Sequence, residues 1–282
     1  MLRKLFLIGL VCAFLAPTNV FAENGRFFFL SEGKWSFTPY LGANVATSRD
    51  MVNALSTTVA AAVTFSDGSQ IDGAITASIG EVSFSDTHDP PLLTGFDVGY
   101  FLSHDLEVFG GFQFVTAGGN APKVLDITAA GNFTDSAGTV TAIALNETAN
   151  AEFDDYNSWA IKAGVTKYFP MADFTPYVGG YAGFKHVDKI RFKLKFVTAS
   201  VESGKIKFYD STDTGFFGFH TGVNKNMTIG GALVSLGVRG RLDYTPELSN
   251  DNSDVDLVGA GKTNDAGGGV DFGLTAHLTI PF

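Results

Sequence analysis

Val270-Asp271-Phe272-Gly273-Leu274-Thr275-Ala276-His277-Leu278-Thr279-Ile280-Pro281-Phe282 closes the sequence. Val270, Phe272, Leu274, Ala276, Leu278, Ile280 and Phe282 are apolar. Asp271, Gly273, Thr275, His277, Thr279 and Pro281, set between them, are polar or small. Strand side chains point alternately to opposite faces, so a strand here has one wholly apolar face and one polar face. A soluble sandwich can supply that alternation. Strands of about ten residues, apolar outside and polar inside, are what a bilayer-spanning barrel requires.

The same pattern recurs seven more times. Trp35 to Ala46 sets Trp35, Phe37, Pro39, Leu41, Ala43 and Val45 against Ser36, Thr38, Tyr40, Gly42, Asn44 and Ala46. Leu92 to Leu102 puts Phe96, Val98, Tyr100 and Leu102 outward. Leu106 to Thr116 does so with Leu106, Val108, Phe112 and Phe114. Ser158 to Phe169 does so with Trp159, Ile161, Ala163, Val165 and Phe169. From Phe174 the outward set is Phe174, Val178, Ala182 and Phe184. Gly215 to Val223 and Ala232 to Tyr244 complete the eight.

Connections near 103–105, 170–173 and 224–228 are short. Those near 48–90, 119–155, 189–210 and 245–266 are long. Short and long alternate strictly, as in an up-and-down membrane barrel with periplasmic turns and outer loops. The expected fold is therefore an all-β, closed antiparallel up-and-down transmembrane barrel of eight strands, with four long outer loops and three short periplasmic turns. Thr57 to Phe65 and Ala74 to Phe84 suit a hairpin around Ser66-Asp67-Gly68; if it joins the wall, the count is ten. In the third loop, Ile190, Phe192, Leu194 and Phe196 continue the outward parity of the fifth strand. Lys189, Arg191, Lys193 and Lys195 continue the inward one, and the strand is expected to project as a hairpin with Lys205 to Tyr209.

Over about residues 34–282 this pattern, with the strand start Thr175-Pro176-Tyr177-Val178-Gly179-Gly180, resembles the eight-stranded outer-membrane barrels of the OmpA-transmembrane, OmpX/Ail and opacity-protein type. The terminal alternation through Leu278, Ile280 and Phe282 resembles the assembly signal of such barrels. The resemblance implies the outer membrane of a Gram-negative bacterium and contact with its lipid, its lipopolysaccharide and its assembly machinery.

The N-terminus agrees. Arg3 and Lys4 precede an apolar run from Leu5 to Leu15, and Val20-Phe21-Ala22 offers a cleavage site. Residues 1–22 read as a signal peptide, 23–33 as a short lead and 34–282 as the barrel domain. The run falls well short of the roughly 18 apolar residues of a spanning helix. The single cysteine, Cys12, lies within it, so the exported part has no disulfide and no Cys-based metal site. Removing Arg3 and Lys4 leaves 17 bases against 29 acids, a net charge of −12. That balance argues against nucleic acid, which needs a basic footprint.

The inward list carries chemistry in the form of charge: Asp97, Glu107, Lys162, Lys185, Arg239, Arg241, Asp243 and Asp271. Ionisable groups in a narrow lumen must pair or reach water, and an eight-stranded barrel is just wide enough for side chains to fill it. Asp97 is expected to pair with Lys162, and Asp271 with Arg239 or Arg241. No residue pattern implies catalysis, a cofactor or a metal. None of the five histidines has Ser two residues on, as the small-barrel lipid deacylases use. His88 between Asp86 and Asp89 is the one acidic–His cluster, and inward His220 and His277 sit one per strand.

The second loop is acidic (Asp126, Asp135, Glu147, Glu152, Asp154, Asp155), as is the fourth (Glu247, Asp251, Asp254, Asp256). The third carries the basic row Lys189, Arg191, Lys193 and Lys195. Neighbouring loops can neutralise one another, or the basic row can meet lipopolysaccharide phosphates or a surface ligand. The leading functional expectation is a structural, surface-exposed or adhesin-like barrel. A narrow porin-like passive channel is the alternative, and a lipid-modifying enzyme is the third class.

Overall fold

The computed structural model describes residues 32–52, 54–64, 66–171, 174–229, 232–246 and 268–282. The expected signal peptide, most of the lead and the acidic residues of the fourth loop lie outside them. Sixteen strands follow one another among the described residues. They are β1 (Trp35–Ser48), β2 (Asp50–Val52), β3 (Leu55–Thr64), β4 (Gln70–Ile79), β5 (Val82–Ser83), β6 (Leu92–Ser103), β7 (Leu106–Ala117) and β8 (Lys123–Thr134). Then come β9 (Val140–Phe153), β10 (Tyr156–Tyr168), β11 (Thr175–Val187), β12 (Ile190–Phe196), β13 (Ile206–Tyr209), β14 (Thr212–Ile229), β15 (Ala232–Thr245) and β16 (Gly269–Pro281).

Eight of these close into a wall in the order β1-β16-β15-β14-β11-β10-β7-β6, with β6 returning to β1. All contacts between neighbours are antiparallel. Closure pairs every wall strand on both sides, which leaves no polar backbone edge facing hydrocarbon. The eight wall strands are those expected from the alternation. Trp35, Leu41, Phe96, Ile161, Val165, Phe219, Leu242 and Leu274 are exposed on the outside. Ser36, Thr38, Gln113, Thr166, Thr275 and Thr279 are buried on the inside. Aromatic residues mark both ends of this apolar band. Trp35, stacked obliquely on Tyr100 at 5.1 Å, lies at the short-turn end with Phe169, Phe174 and Phe282. Trp159, Phe184 and the Phe217–Tyr244 pair at 5.1 Å lie at the other. Such girdles sit at the two faces of a bilayer.

One turn differs from expectation. Asn224 to Ile229 is strand, paired from Asn224↔Gly237 to Ile229↔Ala232. The connection is Gly230-Gly231, outside the described residues. Polar Asn224, Lys225 and Asn226 resemble a turn by composition, but Asn224 is an inward lumen residue with a partner.

The long connections hold the larger surprise. The first three are built of strands. Six strands form a second sheet in the order β13-β12-β9-β8-β4-β3, and β2 pairs with β5. The hairpin expected around Ser66-Asp67-Gly68 forms as β3–β4, but it joins this second sheet, so the wall keeps eight strands. The long hairpin β8–β9 was not expected. Its sequence is rich in Ala and Thr, and its large apolar residues are too sparse to announce a strand. Both hairpin tips use the same device. Asp67 accepts from the N–H of Ser69 (3.0 Å) ahead of Gly68 at φ 85°. Asp135 accepts from the N–H of Ala137 (2.9 Å) and Thr139 (2.7 Å) ahead of Gly138 at φ 85°.

Two residues separate β9 from β10, and two separate β11 from β12, so the second sheet grows directly out of the wall. Its core is shared with the top of the barrel, where Tyr40, Leu93, Val115 and Tyr156 of the wall join the same cluster. Met51, Val52, Phe84, Phe153, Phe192 and Phe208 are almost fully buried there, each worth about 1.5–3 kcal/mol of apolar burial. This corrects the outward reading of the third loop. Ile190, Phe192 and Leu194 do keep one parity, and β12 does pair with β13. Their side chains, however, enter this external core instead of facing outward.

Candidate functional site

The lumen and the external sheet are the two places where side chains of chemical interest gather. In the lumen, all eight expected charged residues point inward and are buried or nearly so. Four are cationic and four anionic. Nearest the short turns, Glu107 has no cation in bonding contact. Its carboxylate accepts instead from Ser36 Oγ (2.5 Å) and Tyr168 Oη (2.7 Å). Gly99 makes that possible, since a Cβ there would lie on the Glu107 carboxylate.

Above it, Asp97 holds two cations: Lys162 Nζ at 3.1 Å and Arg239 Nη1 at 2.7 Å. Arg239 Nε also reaches Tyr177 Oη at 3.4 Å. The Lys162 ammonium lies 4.9 Å from the ring centres of both Tyr40 and Tyr181, a cation–π arrangement that offsets part of its desolvation. Next, Arg241 bonds Asp243 (2.9 Å), Gln113 (2.5 Å) and Asn44 (2.8 Å), and Tyr181 donates to Asp243. A Cβ at Gly218 would collide with that tyrosine and carboxylate.

At the top of the lumen, Lys185 Nζ stands 3.6 Å from Asp271. The expected partner of Asp271 was Arg239 or Arg241. The register explains the difference. Arg239 lies beside Thr275 and Arg241 beside Gly273, and Asp271 lies beside Asp243. Arg241 turns to Asp243 on its own strand, and Lys185 comes from β11 across the barrel to balance Asp271. The Asp97–Lys162 pair is found as expected.

His220 and His277 also point inward. His220 Nε2 meets Thr166 Oγ1 at 3.1 Å and His277 Nε2 meets Asn224 Oδ1 at 2.8 Å. Tyr177 stands edge-on to both rings. No group of three His, Cys, Asp or Glu side chains suited to a metal occurs among the described residues.

The lumen ends under the external core. A cavity of about 20 Å³ remains there, between Asn44, Thr47, Arg49, Lys185 and Asp271 below and Met51 and Phe84 above. That is room for about one water. Below it the buried charged and aromatic side chains project into the lumen, and apolar side chains lie above it.

A lone acidic–His cluster in a long connection is expected to be a solvated loop; instead His88 is buried, and Asp86 and Asp89 do not bond it. Asp86 bonds Ser83, while His88 is buried against Phe84 (4.7 Å, stacked) and Tyr156. Its Nδ1 meets Thr87 Oγ1 at 2.8 Å and its Nε2 meets the Asp154 carbonyl at 3.2 Å. Burial depresses the ring to a pKa of about 4, against the smaller opposing effect of that carbonyl and of Asp155 and Asp89. His88 is a pin between the first and second long connections.

The basic row lies on the side of β12 opposite the external core. Lys193 faces Glu152 of β9, and Lys195 reaches Glu202 at 3.2 Å. Lys205 reaches Asp154 at 2.8 Å. Arg191 lies opposite another cation, Lys207. Glu147 is taken up by the backbone N–H groups of Thr198 (2.7 Å) and Ala199 (3.1 Å). An open cleft of about 890 Å³ runs beside the rim, lined by Glu152, Asp154, Asp155, His186, Asp188 and Lys189.

An apolar belt of barrel height, aromatic girdles at both its ends, a polar interior and full strand closure occur together. The chain is a closed eight-stranded antiparallel β-barrel with the outer face of a membrane-spanning wall. No protein-family model matches the sequence, and no curated protein matches it. Three solved structures are similar in strand pattern. Neisserial surface protein A shares 13% identity over 89% of this chain and 98% of its own, with a TM-score of 0.36. Ail, the attachment invasion locus protein of Yersinia pestis, shares 11% over 89% and 99%, at 0.38. The outer membrane protein OprG from Pseudomonas aeruginosa shares 11% over 89% and 97%, at 0.35. The assignment of the barrel rests on its own closed wall. At the end of β16, where an assembly signal is expected, Phe282 and Trp35 exchange backbone hydrogen bonds of 2.9 and 3.2 Å, and the Phe282 ring is exposed beside Ile280, with Leu278 half-buried.

Proposed function

We propose that this barrel is a non-catalytic, adhesin-like surface protein that anchors and presents the external sheet. One observation carries the reading. Three of the four long connections contribute strands to one six-stranded sheet, packed on the barrel mouth through a buried core that the two share. Solvated loops need no such construction, whereas a binding surface needs rigid support. The buried, ion-paired side chains of the lumen support the same reading over a passive channel, because they stand in the path a solute would take. The apolar wall takes lipid, and Arg191, across from Lys207 and its Asp210 partner (2.8 Å), offers a cation to lipopolysaccharide phosphates.

The test has two parts. Refolded protein in planar bilayers is expected to show no steady conductance. Cells carrying the chain are expected to adhere to polystyrene and to cultured cell monolayers more than cells carrying a variant with short turns in place of β3–β4 and β8–β9. Steady conductance, or equal adhesion with equal surface display, would overturn the reading.

A further inference from the structure

The external sheet ends in two strands of opposite character. At one end β13 is four residues long, with Lys207 within it and Lys205 just before it. Shortness and lysine are the devices by which natural sheets block edge-to-edge pairing. At the other end β3 runs ten residues, Leu55–Thr64. It holds no charged residue and no proline, and its register with β4 is unbroken from Leu55↔Ile79 to Thr64↔Gln70. Val59 is 60% exposed, and Ser56, Thr58, Ala60, Ala62 and Thr64 are exposed with it. Among the described residues β3 has no strand on its outer side, and an open row of backbone donors and acceptors of this length is a template for another strand.

The sequence of β3 says which strand. Thr58-Val59-Ala60-Ala61-Ala62-Val63-Thr64 reads the same in both directions. We propose that β3 pairs antiparallel with β3 of a second copy of this chain, about a two-fold axis at Ala61, joining two external sheets into one. In that register Thr58 faces Thr64 of the second copy, Val59 faces Val63 and Ala60 faces Ala62. Like meets like at every step, and each parity class stays on its own face. Cross-strand threonine and β-branched pairs of this kind are favourable. The Thr58–Thr76 hydroxyl contact at 3.0 Å shows that the adjoining strand pair already uses one. A two-fold contact is self-complementary by construction, so a palindromic edge suits it. The far half of β9, Val140–Asn146, is also unpaired on its outer side, because β12 covers only Ala149–Phe153. Its sequence is not palindromic, and it serves as the control.

The inference deepens the surface-binding reading by naming a partner, and its readout is association of purified protein, into which adhesion does not enter. The mature full chain is refolded in detergent micelles and its association followed by sedimentation. The wild type is expected to dimerise with concentration. Ala60→Lys with Ala62→Lys, and Ala60→Glu with Ala62→Glu, are each expected to weaken the dimer by about tenfold or more, and a one-to-one mixture of the two is expected to restore it. Ala61→Cys is expected to form a self-disulfide faster than Ala142→Cys. Heat-modifiability of each variant on gels confirms that the barrel is folded. A wild type that stays monomeric, charged variants that dimerise like wild type, or faster cross-linking at Ala142 than at Ala61 would overturn the proposal.

Discussion

Lys162 and Arg239 grip the two oxygens of one carboxylate, Asp97, at 3.1 and 2.7 Å inside the barrel. They arrive from β10 and β15 to meet a residue on β6, so this contact ties three parts of the wall together across the lumen. Removing Asp97 leaves two cations facing each other in a low-dielectric space, which is far costlier than losing a pair outright. Asp97→Ala is expected to destabilise the barrel by about 3–5 kcal/mol. Asp97→Ala combined with Lys162→Met should recover part of that loss. Urea titration of refolded protein in micelles measures both; a double variant no more stable than the single one would argue against charge as the cause.

The wall face is testable at Leu274, near the middle of β16, whose side chain is exposed on the outside of the barrel. Arginine at the bilayer midplane costs about 2–4 kcal/mol in barrels of this kind. Leu274→Arg should show that loss in refolding stability. Leu145→Arg, equally exposed but on the external sheet, should cost little. Similar losses at both positions would mean that the band around Leu274 does not face lipid.

His88 sets a pH dependence on the external sheet. Its folded pKa is about 4, and the ordinary value is about 6.5. Between these values the unfolded segment holds a proton that the folded one does not. Stability therefore falls as pH drops from about 6.5 to about 4 and is level on either side. The full difference is about 3 kcal/mol. Proteolytic nicking of residues 84–92 should rise across this window while the barrel stays intact. His88→Phe, which keeps the stacking on Phe84 and Tyr156 and removes the titration, should flatten the profile. An unchanged profile in that variant would assign the effect elsewhere.

Phe282 separates delivery from stability. Its backbone bonds to Trp35 do not depend on its side chain, and its ring is exposed. Phe282→Asp should leave refolding in detergent nearly unchanged and sharply reduce the amount of heat-modifiable protein in the outer-membrane fraction. Normal delivery of the variant would show that the terminal ring is not an assembly signal.

Much of the wall was legible because a strand's facing is local. Period two in Val270 to Phe282, and in seven stretches like it, fixes which side chains look outward and which inward without knowledge of any neighbour. The inward placement of Asp97, Lys162, Arg241 and Asp271 follows from parity alone, and so does the eight-strand count once short and long connections alternate. Partners are a different matter. Lys185 meets Asp271 from three strands away, while Arg241 bonds Asp243 two residues along its own strand. Closure and register decide this, and a turn misplaced by a few residues, as at Asn224, moves every height estimate above it. The external sheet was hidden for another reason. Strands such as β8 and β9 carry much Ala and Thr, with little apolar contrast between faces, so only pairing with β4 and β12 makes them strands. The palindrome at Thr58 to Thr64 stands in the sequence, but it acquires meaning only where the tertiary structure leaves β3 at an open edge.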